Sequence, residues 1–86
     1  MRKIIFENSA IEDLLYWTKE GLKLVRKIFQ LLDNTMKTPF EGIGQPEHLK
    51  YRADIWSRRI NQEHRLVYKV TDDSIIILSC RFHYDD

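Results

Sequence analysis

Two polar breaks, Asn61-Gln62-Glu63 and Thr71-Asp72-Asp73-Ser74, cut the last third of the chain into three short runs of strand-forming residues. The runs span about 54–60, 64–70 and 74–83, and the second break reads as a hairpin turn. Lys3-Ile4-Ile5-Phe6 reads as a first strand, and two helical stretches lie between it and the late strands. Ile11, Leu14, Leu15 and Thr18 mark one helical face, and Leu24, Val25, Ile28, Leu31, Leu32 and Thr35 a second. Ser9 with Glu12 has the spacing of a capping box. Gly21 suits the left-handed residue that ends a helix, and so short a link implies an antiparallel helical hairpin. Trp17 is expected in packing or at an interface. The order βααβββ predicts an α+β fold, with two N-terminal antiparallel helices packed on a mainly antiparallel sheet of about four to five strands. The register of the last hairpin stays open. A two-residue turn sets Leu66, Tyr68 and Val70 on the face of Ile75 and Ile77, and a one-residue slip pairs them with Ile76 and Leu78.

With 86 residues the chain is expected to be one domain, 1–86, with a single core. At 43% apolar and 31% charged it is globular in composition. No apolar run approaches the ~20 residues that cross a bilayer, and no secretory leader follows Met1. The lone cysteine, Cys80, fits a reducing compartment and reads as a small core residue. Together these point to a cytoplasmic protein with no membrane attachment.

The net charge of +1 argues against a nucleic-acid coat, but the charge is uneven. Between His48 and Val70 stand six basic residues and two acidic ones. Arg58, Arg59, His64 and Arg65 fall within eight positions. Guanidinium forks in such density suit phosphate oxygens. The neighbouring rings of Tyr51, Trp56, Tyr68, Phe82 and Tyr84 suit bases. Pro39 stops the second helix, and a loop of about a dozen residues then runs from Lys37 to His48, a length that favours function.

No metal-ligand spacing joins His48, His64 and His83, and no phosphate-binding glycine loop or nucleophile triad is signalled. No cofactor is expected. One carboxylate (Glu47), several cations and a histidine near the end (His83) are the parts needed to cleave RNA without a metal. A base takes the 2′-hydroxyl proton, an acid supplies the leaving 5′-oxygen, and cations steady the charged phosphorane. Glu47 beside Lys50 suits the base, His83 the acid, and Arg65 with Arg59 the phosphate. Each residue also has a plain reading. Glu47 would be a solvated loop residue, and Arg65 would pair with Glu63 or Asp54 in a surface ion pair of ~0–1 kcal/mol.

Thr38-Pro-Phe-Glu-Gly42, Gly44-x-Pro46-Glu47-x-Leu49-Lys50, Trp56-Ser-Arg-Arg-Ile60, Glu63-His-Arg-Leu-Val-Tyr68, Thr71-Asp-Asp-Ser74 and Cys80-Arg-x-His83-Tyr84 span nearly the whole chain. In these blocks it resembles the YoeB/Txe toxins of bacterial toxin–antitoxin pairs, within the RelE superfamily. The resemblance implies a microbial-ribonuclease-like fold and an endoribonuclease that cuts messenger RNA in the ribosomal A site. It implies a homodimer and neutralisation by a YefM-type antitoxin. Carried over by position, it assigns the base to Glu47, the acid to His83, the phosphate arginine to Arg65 and the near-terminal aromatic to Tyr84. Lys50 and Arg59 take supporting positive positions, and Arg58 and His48 stand beside them as candidate substrate contacts. Asp85 and Asp86 extend beyond the His-Tyr pair, and His48 occupies a variable position next to the base. The alternative is a non-catalytic module that grips RNA or protein and serves as antitoxin or co-repressor partner.

Overall fold

The structure, a computed structural model, describes residues 1–50 and 52–82. Strand β1 (Lys3–Phe6) leads into helices α1 (Asn8–Glu20) and α2 (Leu22–Lys37). Four strands follow: β2 (Glu47–His48), β3 (Ile55–Arg59), β4 (Arg65–Val70) and β5 (Ser74–Ser79). The sheet order is β1-β5-β4-β3-β2, with β1 parallel to β5 and the remaining pairs antiparallel. This is the expected α+β arrangement, with the first strand returning beside the last.

The helices cover one face of the sheet. Ile28, Leu31, Leu32 and Thr35 of α2 and Ala10 and Trp17 of α1 pack on Leu66, Tyr68, Ile75 and Ile77. The stripe read for α2 therefore holds. The one read for α1 holds only at Leu14, which packs on the core, because Ile11 and Leu15 are 42% and 58% exposed. The buried side of α1 is set by small Ala10 and by Trp17, whose indole N–H donates to the carbonyl of Cys80 at 2.9 Å.

Two local motifs also resolve differently. Glu7, not Ser9, is the N-cap of α1 and makes no side-chain cap bond. Its own N–H continues the strand ladder to Ile77, so the helix starts directly off the strand. Ser9 Oγ instead donates to the Leu78 carbonyl at 2.6 Å. Gly21 has φ −169°, extended rather than left-handed. Its N–H closes α1 on Trp17, and its carbonyl receives Leu24 and Val25 at the start of α2.

The last hairpin takes the two-residue-turn register, with Val70 opposite Ile75 and Tyr68 opposite Ile77. A shift then places Val67 opposite Ser79, leaving Leu78 as the extra residue of a bulge. Extra bulge residues drop out of ladder pairing, which is why the Leu78 carbonyl is available to Ser9. Leu78 turns to the face away from the helices, where it joins Leu49, Ile55 and Val67 in a second apolar cluster.

Candidate functional site

Directly opposed residues share a face of an antiparallel ladder, and the face alternates along each strand. Glu47 stands opposite Ser57, Ser57 opposite Val67, and Arg59 opposite Arg65. Glu47, Ser57, Arg59 and Arg65 therefore share the face that the helices leave uncovered, beside the Leu49–Ile55–Val67 cluster. Glu47 lies on a short edge strand rather than in the loop that the sequence suggests.

Arg65 is only 6% exposed. Its Nε donates to Ser57 Oγ at 2.9 Å, and its Nη2 reaches the carbonyls of Gln45 and Ser57 at 3.4 Å. The same Nη2 lies 3.7 Å from Glu47 Oε2, and the Glu47 side chain is 67% exposed. A held guanidinium thus faces a carboxylate that remains open to solvent. The neighbours proposed in the plain reading of Arg65 are engaged elsewhere: Asp54 pairs with Lys69 at 3.4 Å, and Glu63 lies 4.0 Å from His64 Nε2. Arg59, exposed, stands directly across from Arg65. Like charges so placed repel, and a bound anion relieves that repulsion. Gln45 is left-handed at φ 51°, which turns its carbonyl toward Arg65.

Other predicted residues fall elsewhere. Arg58 is completely buried on the helix side. Its Nε donates to Tyr68 Oη, its Nη1 to Asn34 Oδ1 and the Ile43 carbonyl, and its Nη2 to the carbonyls of Thr38 and Glu41. It ties the 38–43 loop to the sheet and has no donor left for a substrate. Gly42 lies against this knot at φ +121°, where a Cβ would run into Asn34 Oδ1. Burial pushes the Tyr68 hydroxyl above its ordinary pKa, against the lowering effect of Arg58. That hydroxyl donates to the Pro39 carbonyl at 2.8 Å. His48 also points away from Glu47. It stacks on Trp56 with centroids 4.8 Å apart, and its Nε2 donates to the Ala53 carbonyl at 2.6 Å. Lys50 is exposed just beyond β2. His83, Tyr84, Asp85, Asp86 and Tyr51 lie outside the described residues. Among the described residues, no group of three or more His, Cys, Asp or Glu side chains gathers as a metal site, and no helix is long and apolar enough to cross a membrane.

Sequence reasoning missed Ser57, which holds Arg65 Nε, and the Gln45 carbonyl. The signal for Ser57 was its place two residues before Arg59, on the same strand face.

Residues 6–84 match the model of the YoeB-like toxin of bacterial type II toxin–antitoxin systems. The chain belongs to this toxin family. It is 51% identical over 83 residues to Toxin YoeB of Escherichia coli (strain K12), a match covering 95% of this chain and 99% of that one. A YoeB dimer from Staphylococcus aureus superimposes with a TM-score of 0.89 at 45% identity, covering 96% of this chain and 98% of that one. The toxin in a YoeB–YefM complex from the same organism gives 0.85 at 45% identity, covering 98% and 99%. The family assignment inferred from Trp56–Ile60 and Glu63–Tyr68 therefore stands, and the chain is the toxin component of a type II toxin–antitoxin system.

Proposed function

We infer that this toxin is an endoribonuclease that cuts messenger RNA in the ribosomal A site without a metal. The observation that carries this reading is the Arg65–Glu47 pairing on the open face, 3.7 Å apart, with Arg59 directly across the ladder. Glu47 removes the proton of the 2′-hydroxyl, and the freed oxygen attacks the adjacent phosphorus. Arg65 and Arg59 hold the phosphorane's added negative charge. The P–O5′ bond then breaks, and His83 gives its proton to the departing oxygen, leaving a 2′,3′-cyclic phosphate and a 5′-hydroxyl. Tyr84 and Lys50 support the substrate. In this reading the protein works in the cytoplasm, where translating ribosomes are.

A YefM-type antitoxin is the proposed neutralising partner, and a homodimer the proposed assembly. The S. aureus complex and dimer support both. A patch this small touches few phosphates, so binding to naked RNA is modest and falls steeply with salt. Ribosome-held message supplies the orientation that the enzyme does not create.

Toeprinting of a translated message tests the reading. Wild type should cut and Glu47→Ala, Arg65→Ala and His83→Gln should not, while the weak cutting of naked RNA by wild type should survive EDTA. Equal cutting by those variants removes the mechanism. Binding that weakens in the arginine variants, with no cut product even from wild type, establishes the non-catalytic module instead.

A further inference from the structure

The three residues after β5 are gripped one by one, by groups from α1 and from the start of β4. The Cys80 N–H donates to Asp13 Oδ2 at 2.9 Å, and its carbonyl accepts the Trp17 indole N–H at 2.9 Å. The Arg81 guanidinium lies 3.4 Å from the Tyr16 ring centroid and 4.4 Å from that of Phe82. The Phe82 N–H donates to His64 Nδ1 at 2.7 Å, and the Phe82 carbonyl accepts the Arg65 N–H at 3.1 Å.

Phe82 is left-handed at φ 67°. For a non-glycine residue that conformation costs about 1–2 kcal/mol, and it persists only where the surroundings over-determine it. The Phe82 ring is largely exposed, so burial of the ring is not what holds the residue. The main chain is held instead, by the imidazole on one side and by the Arg65 peptide on the other. A backbone N–H can only donate, so His64 Nδ1 is the bare acceptor and Nε2 carries the ring proton. The Trp17 ring meets the imidazole edge-on at 4.7 Å, which fixes its plane.

We propose that His64 is a positioning residue for cleavage. By holding the Phe82 main chain against Arg65, it fixes the end of the chain that carries the next residue, His83. His64 stands among the arginines of this stretch, but here it acts as an acceptor rather than as a charge. The role rests on the proposed nuclease chemistry, in which His83 is the acid.

The test compares His64→Leu, which fills similar space without an acceptor, with His64→Asn, whose Oδ1 falls near the place of Nδ1. Toxin purified from its antitoxin complex is assayed on programmed ribosomes, with amide hydrogen exchange read in parallel. His64→Leu should lower kcat at least about tenfold with KM within about twofold, and His64→Asn should recover most of the loss. The Phe82 amide should exchange at least about tenfold faster in the leucine variant only, with the Leu66 and Tyr68 amides unchanged. Wild-type activity in His64→Leu, beside an inactive Glu47→Ala, overturns the positioning role and leaves the nuclease reading intact. Normal cutting by Glu47→Ala sinks the proposed acid–base mechanism, and the positioning role that rests on it. Should both His64 variants fail to fold, wild type decides alone. A Phe82 amide that exchanges as fast as in a free peptide, or a ring proton found on Nδ1 by nitrogen NMR, overturns the proposal.

Discussion

Arg58 and Arg65 face each other's neighbours across one ladder, both with almost no exposed surface, yet they do opposite things. Arg58 lies on the helix side and spends its donors on three loop carbonyls, an amide oxygen and a phenol. Arg65 lies on the open side, tied by a serine and two long carbonyl contacts, with an exposed carboxylate in front of it. Burial alone does not separate a structural cation from one that awaits an anion. What separates them is which acceptors are used up, and whether solvent reaches the remaining side.

The sharpest way to break this contrast is to remove each guanidinium in turn. Arg58→Ala leaves its acceptors in the 38–43 loop without partners. It should cost about 3–5 kcal/mol of stability, read as a loss of denaturation midpoint. Arg65→Ala should lower ribosome-dependent cleavage by about 10²–10³-fold, the range seen when one transition-state donor is lost, while stability falls by only about 1–2 kcal/mol. If the two variants exchanged these phenotypes, the assignment of the two faces would be wrong. His48→Ala is a finer probe. The ring lies on the Arg58 side, so single-turnover cleavage should stay within about threefold of wild type while stability falls by about 1 kcal/mol through loss of the Ala53 bond.

The smallest effect concerns Cys80. Burial, and then the charge of Asp13, push its thiol up to about 12 from an ordinary 9.0. A group raised on folding stabilises fully below the unfolded value and loses that contribution as pH climbs toward the folded one. Stability should therefore be insensitive to this thiol below about pH 9 and should decline above it. Cys80→Ala should flatten that alkaline decline in a pH series of denaturant melts. At pH 8 a thiol reagent should label the native protein far more slowly than the unfolded chain.

Much of this was readable from the residues. The α2 stripe, strand 3–6 and the Asp72-Asp73 turn are local patterns, and local patterns survive folding. Glu47 and Arg65 were singled out by chemistry and by family motif, and the sheet register supplies the reason they meet. Arg58 was misread because alternation along a strand sends neighbours to opposite faces. Nothing near Arg58 in the chain says that residues 38–43 will wrap its side. The α1 face failed for a related reason. Ile11 and Leu15 make a respectable periodic stripe, but the partner of this helix is the end of β5, which selects Ala10 and Trp17 through contacts with residues near Cys80. Ser9 had the sequence of a cap and was diverted by a bulge about seventy positions away.

One feature of the topology bears on how such a toxin is made. Among the described residues, strand β1 pairs with β5 alone in the sheet, with Lys3 level with Ser74. A growing chain therefore presents both helices long before the strands they must cover have been synthesised. Until the sixties and seventies of the sequence emerge, there is no ladder to seat Arg65 beside Glu47. Chains cut short before β4 therefore carry the helices without the paired side chains of the open face.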